Sequence, residues 1–416
     1  MKGKTFVMRI LKKVTALLMS VVLAGTLTAC GGGRSKNAKK LDIDKEVSIN
    51  IWYNDEKYMP YLEYIAEQFH SANEFVTVNP VLIDDNDILD AVYQGSVKNN
   101  DVADVYMMPS KDMEKAYLSG LIAENDRYTS SYSSKHFPVS AVNAACYGGK
   151  LYGYPVTFHT AVMVYNKRYV SAPENFEQIA EYMNSYQSKD TGEEVVMIAG
   201  WDADNFMINY AFGGSYTGTG GASGEEASTV EIQSEALKAS MTQYAAMKDT
   251  FGIYGDEITE DYCVDLFGQN KLLYTIIETD RLAEINASGV EYGICKIPGA
   301  KTGFGTQSLS ETTLAVVNPY SENIETAKAV AQAISYDYAD LLEEYTGYIS
   351  ARNDVSDKKK RQEYQKLYEV YETSDIRAKY MGADEFYLRY AILLHQIWDG
   401  SDVNQAFDAF SQAVNR

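Results

Sequence analysis

Cysteine and histidine are scarce in this chain of 416 residues, with four of each. Cys146, Cys263 and Cys295 follow Cys30 without any CxxC spacing, too thinly spread for a disulfide scaffold. A single Cys263–Cys295 bridge stays open on the sequence alone. His70, His136, His159 and His395 show neither HxH nor HExxH spacing, so no metal site is indicated, and no motif asks for a cofactor. Basic stripes interleaved with aromatics are missing. With a formal net charge of −21, the chain has no means of holding nucleic acid, and the acidity mainly reports solubility. There is no GxSxG elbow and no GxxxxGK[ST] cradle. The Gly/Ser/Thr-rich stretch at 213–228 therefore reads as a loop. Beyond Leu27 no apolar run is long enough to cross a bilayer, which takes roughly 20 residues.

What is present begins with the first thirty residues. Lys2, Lys4, Arg9, Lys12 and Lys13 precede an apolar run from Val14 to Leu27, the layout of a secretory signal peptide. Leu27-Thr28-Ala29-Cys30 looks like a bacterial lipobox, which makes Cys30 the first mature residue and the site of lipidation by a diacylglyceryl group and palmitate. Gly31-Gly32-Gly33 and the basic residues up to Lys40 read as a flexible tether next to anionic headgroups. These features predict residues 1–29 as signal peptide and 30–44 as a lipidated tether. The rest becomes a domain held at the extracytoplasmic face of a cell membrane.

From Val47 onward the pattern alternates between strand and helix. Val47–Trp52, Phe75–Ile83 and Asp104–Met108 read as strands, separated by helical patterns after Pro60 and from Ile88 to Val97. This order predicts an α/β layer with a parallel sheet whose ligands sit beyond the strand ends, at Tyr53–Glu56 and Pro109–Asp112. Tyr147 to Lys167 reads as two apolar strands around a Gly-rich turn and Pro155, a place for the chain to change domain. Further strands are expected at Val195–Ala199, Lys271–Asp280, Tyr292–Pro298 and Thr312–Val317. Helices are expected at Phe176–Tyr186, Ser234–Lys248, Ile324–Tyr338, Lys358–Tyr371, Glu385–Trp398 and Val403–Val414.

Several of these stretches resemble one family. They are Ile49-Asn50-Ile51-Trp52, Asp104-Val105-Tyr106, Tyr117-Leu118-Ser119-Gly120-Leu121, Gly149-Lys150-Leu151-Tyr152-Gly153-Tyr154-Pro155, Tyr165-Asn166-Lys167, Val317-Asn318-Pro319-Tyr320-Ser321 and Ala351-Arg352. Their order and spacing are similar to those of the extracellular solute-binding lipoproteins that feed ABC importers, in the sugar-binding group that includes maltose-binding protein. The resemblance implies a periplasmic-binding-protein-like α/β fold: two α/β lobes, a multi-strand hinge and a central cleft. It implies chain crossings near Tyr154–His159, Lys296–Leu309 and Tyr345–Arg352. Lobe 1 is then expected to hold 45–156 and 305–345, and lobe 2 to hold 157–304 and 346–416.

It also implies positions for ligand contacts. After the first strand these are Asn54, Asp55, Glu56 and Lys57, a stretch that reads equally as a turn capping the Pro60 helix. Where relatives carry an aromatic and an Asp-Arg pair, this chain has Met108 and Lys111-Asp112, and Asp112 is the candidate. His159 stands where maltose binders have a carboxylate, and reads equally as a hinge residue satisfied locally. Trp201, Asp202, Asp204 and Phe206 follow a strand end, as do Glu278 and Asp280, while Phe386 and Tyr387 lie near the relatives' stacking aromatic. The implied function is non-catalytic capture of a sugar or oligosaccharide by a monomer for delivery to membrane permease subunits, with membrane lipid as a second partner through Cys30. Two alternatives remain open on the sequence: an importer protein for a cationic ligand such as a polyamine or peptide, and an anchored glycosidase using two acids such as Asp204 and Glu278.

Overall fold

The computed structural model describes residues 40–84, 87–98, 102–187, 194–200, 206–232, 234–254, 258–355 and 362–414. Cys30 and the signal segment lie outside them. Strand β1 (Val47–Tyr53) buries Val47, Ile49, Ile51 and Tyr53 on one face, as its alternation requires. The Met59–Ala72 helix carries Pro60 in its first turn and lays Tyr61, Leu62, Ile65 and Phe69 on that face. β2 (Val76–Leu82) and β3 (Val105–Pro109) flank β1 in parallel, joined through helices that include Ile88–Lys98. The expected parallel layer is therefore present, but only as the edge of a mixed sheet.

A small hairpin, β4 (Cys146–Tyr147) and β5 (Lys150–Leu151), turns at Gly148 and Gly149, whose φ values of 56° and 75° favour glycine. It leads into β6 (Tyr154–Asn166), one unbroken strand of 13 residues where the sequence suggests two. Nothing interrupts it because nearly all of it is buried on both faces. The remaining strands are β7 (Val195–Met197), β8 (Thr217–Gly220), β9 (Glu226–Ile232), β10 (Leu272–Glu278), β11 (Tyr292–Cys295), β12 (Leu309–Val317) and β13 (Asp375–Ile376). The main sheet runs β2-β1-β3-β12-β6-β10-β7, with β11 on β6 and β13 on β12.

β6 organises the fold. Residues up to Thr160 pair with β12, whereas Ala161 to Asn166 pair with β10 and β11. One strand thus serves the sheets of both lobes. Ser350 bridges to Thr157, and the Ala351 amide donates to the Val156 carbonyl at 2.9 Å, so a second passage of chain lies against the same crossing. Phe158 is held from behind by Tyr371, ring centroids 3.9 Å apart and nearly parallel.

Two sequence expectations need correction, and one alternative left open is closed. The stretch at 213–228 is not a simple loop: Gly213 and Gly214 end the Phe206–Gly214 helix, and most of the remainder is taken up by the β8–β9 hairpin. Helix packing explains the glycines, since a Cβ on Gly213 would lie 1.7 Å from the Tyr390 hydroxyl. The helix expected to reach Tyr338 is regular from Ile324 to Gln332 and widens into a π turn over Ala333–Asp337. Cys263 and Cys295 are both free thiols, buried or half-buried, so the bridge left open does not form. β13, only two residues long, is too short to leave a signal in the sequence. Among the described residues no helix is long and apolar enough to cross a membrane.

Candidate functional site

A cavity of about 530 Å³ opens beyond the carboxyl ends of β1 and β3, at the strand crossing. That volume suits a small organic ligand. Tyr53, Asn54 and Asp55 border it from the end of β1, and Pro109, Lys111 and Asp112 from the end of β3. Both strand ends are where an open α/β sheet leaves room for ligand.

The floor comes from strand register. Glu311 of β12 lies opposite His159 of β6, and Glu278 of β10 lies opposite Ala161, two residues further along β6. Side chains two apart share a face. An acid, a histidine and a second acid therefore stand in one row where the sheets of the two lobes meet. Behind the row, the Glu278 amide donates to Glu260 Oε1 at 2.7 Å. Burial pushes the Glu260 carboxyl up to about 7 and Glu278 up to about 8, each reinforced by neighbouring carboxylates. Asp280 Oδ1 is buried without a hydrogen-bond partner among the described residues.

The wall residues are mostly spoken for. Asp55 caps the turn after β1, accepting from the Lys57 amide at 3.0 Å, and also accepts from the Tyr348 hydroxyl at 2.6 Å. The cap falls on the short Glu56–Tyr58 turn that leads into the Met59–Ala72 helix, and the capping aspartate borders the cavity. The Lys57 ammonium sits over the Tyr348 ring at 4.8 Å, and the His159 ring meets the same ring edge-on at 5.5 Å. Lys115 pairs with Asp87 at 2.9 Å. Arg377 reaches Glu311 at 3.1 Å and Asp384 at 3.2 Å, drawing an acid of β12 and one of the Ala383–Trp398 helix together. Asp112 is different: its carboxylate has no hydrogen-bond or ion-pair partner among the described residues, and burial holds its pKa above the usual range.

Of the anticipated contacts, the cavity brings together Asn54, Asp55, Asp112 and His159. Lys57 approaches through Tyr348, and Glu56 belongs to the same short turn but does not line the cavity. Glu278 belongs to the floor row, with Asp280 just beyond it. Phe386 and Tyr387 are buried in the core of one lobe, 6% and 3% exposed, with Phe206 packed on Tyr387 and the Tyr387 hydroxyl accepting from the Ala378 amide. Trp201, Asp202 and Asp204 lie outside the described residues. Sequence reasoning passes over Glu311, Asp384, Arg377 and Tyr348. Glu311 has a legible signal, the only charged residue of a largely buried strand. The others come from distant sequence positions and have none.

Comparison with known proteins agrees with this architecture. Residues 64–369 match the family described as bacterial extracellular solute-binding protein. A galactooligosaccharide-binding protein of Bacillus subtilis is 24% identical over 334 residues, covering 78% of this chain and 76% of that one. A maltodextrin-binding protein of the same organism is 24% identical over 309 residues, covering 71% and 70%. Among solved structures, the extracellular solute-binding protein from Staphylococcus aureus in complex with maltose superposes with a TM-score of 0.72 at 19% identity, covering 90% of this chain and 98% of that one. A cyclo/maltodextrin-binding protein complexed with maltotetraose gives 0.71 at 16% identity, with the same coverage. These likenesses, spanning 90% of this chain, show a common fold. By the extent of its match, the chain belongs to the bacterial extracellular solute-binding protein family.

Proposed function

We propose that this protein is the substrate-binding lipoprotein of an ABC importer. It captures a sugar or oligosaccharide in the interlobe cleft, closes over it by a hinge motion and delivers it to a permease in the membrane. The observation that carries the reading is the cavity of about 530 Å³ at the strand crossing, bordered by polar groups from β1, β3 and β12. A ligand there touches the strand through which the lobes are joined, so its binding energy acts directly on their closure. The names of the relatives support a saccharide. Asn54, Asp55, Asp112 and His159 are the contacts from the described residues, with Glu278 in the floor row and Asp280 just beyond it. Lobe 1 comprises 45–156 and 305–345, lobe 2 comprises 157–304 and 346–416, and Cys30 carries the lipid that holds the monomer at the extracytoplasmic face. No bond of the ligand is broken.

Thermal unfolding with a panel of galacto- and gluco-oligosaccharides, spermidine and short peptides tests the reading. A ligand present at about 100 times its Kd stabilises by about 2.7 kcal/mol, which moves the midpoint by several degrees. The expected result is a saturable shift with one saccharide class and no product by chromatography. A shift with polyamine or peptide alone would overturn the saccharide assignment, and turnover of a glycoside would overturn the non-enzymatic one.

A further inference from the structure

We infer that the ligand of this cleft carries a protonated amine, an amino saccharide with its nitrogen unacetylated, and that Asp112 is the residue that selects it. This deepens the importer reading above and rests on it. The charge arrangement of the cavity is the basis. Asp87, Glu311 and Asp384 each have a cation within 3.2 Å, and Asp55 is held by a tyrosine hydroxyl. Asp112 is left over. Lys111 and Lys115 lie near enough to favour its ionised form, opposed by Glu311 and Asp87, yet neither lysine comes within ion-pair distance.

A neutral ligand leaves that carboxylate without a direct ion-pair partner. Lobe closure expels water from the cleft, and a buried carboxylate without a counter-charge is costly even when hydroxyl groups donate to it. An ammonium group on the ligand removes the cost and supplies the charge-assisted hydrogen bond. Stacking gives the site little alternative means of selection on this wall. Tyr53 and Tyr58 are 2% and 4% exposed, so their rings are covered by protein. Anionic sugars are disfavoured by the same carboxylates.

The test is calorimetric titration of the full protein with matched pairs: glucose and glucosamine, galactose and galactosamine, cellobiose and the chitosan disaccharide, plus the N-acetylated forms and unmodified malto- and galacto-oligosaccharides. At pH 6 the amine is expected to bind about tenfold more tightly than its hydroxyl or N-acetyl counterpart. The preference should shrink at pH 9, where the amine is neutral. In Asp112→Asn the ratio of amine to hydroxyl affinity should fall towards one, a readout that does not depend on the variant's absolute affinity. The pH comparison on the parent protein stands if that variant fails to fold. Equal or tighter binding of the neutral sugar, or binding only of unmodified oligosaccharides, overturns the amine proposal and leaves the importer reading intact. Failure of every saccharide overturns both.

Discussion

Replacing Tyr371 with alanine is expected to destabilise the protein by about 3–5 kcal/mol, the usual range for emptying a large aromatic site. The side chain is fully buried, and its ring stacks on Phe158 at 3.9 Å. Its hydroxyl shares a hydrogen bond with Thr312 at 2.6 Å. Phe158 and Thr312 are register partners on β6 and β12, so one tyrosine of the Gln362–Glu372 helix grips both strands at the crossing. The opposite face of the same two strands presents His159 and Glu311 to the cleft. The truncation should therefore also weaken ligand binding, although Tyr371 never meets the ligand. Tyr371→Phe keeps the stack and loses the hydrogen bond, a change of about 1 kcal/mol. Urea unfolding distinguishes them by the midpoint at unchanged slope. A Tyr371→Ala protein within about 1 kcal/mol of the parent would show that the crossing is held by something else.

The second large effect is on pH. Glu278 is held up to about 8 and Glu260 up to about 7, chiefly by burial; the Glu260 charge adds to the rise at Glu278, and Asp280 adds to both. The folded state consequently binds protons more tightly than the unfolded chain at these sites. Their favourable contribution is complete below the ordinary glutamate pKa and is lost as pH rises through about 7 and then about 8. Stability should thus fall between pH 5 and pH 9, by at most about 1.4 kcal/mol per pH unit for each carboxyl that titrates fully. Glu278→Gln keeps the shape without the ionisation. It should raise the melting temperature at pH 8.5 while changing it little at pH 5, and so flatten the profile. An unchanged profile in this variant would place the titrating groups elsewhere. Carboxylates with cationic partners, such as Asp87 and Asp354, act in the opposite sense, and only at much lower pH.

Much of the fold is legible because its signals are local. The alternation in β1, the apolar face after Pro60 and the strand–helix order each follow from short-range spacing, and the structure places those elements within a residue or two. β6 reads as part of two strands because the Gly-rich turn and Pro155 look like interruptions, while pairing partners on both sides keep the strand continuous. The same non-locality governs the site. Asn54, Asp55 and Asp112 can be named from the rule that ligands sit beyond strand ends. Asp384 reaches the cavity, and Arg377 reaches the Glu311 that lines it, only because β13 docks on β12, a contact spanning 66 residues or more that no sequence window contains. Tyr348 likewise meets Asp55 across 293 residues. Phe386 and Tyr387 show the converse: aromatic residues at a promising register whose rings the fold places in its core.

Small-angle X-ray scattering with and without a saturating ligand, chosen by the thermal-shift panel, addresses lobe closure at β6 most directly. Closure of the lobes on the ligand gives a saturable fall in the radius of gyration that tracks ligand occupancy. A ligand that binds to saturation while the radius stays constant would contradict capture by closure of the two lobes.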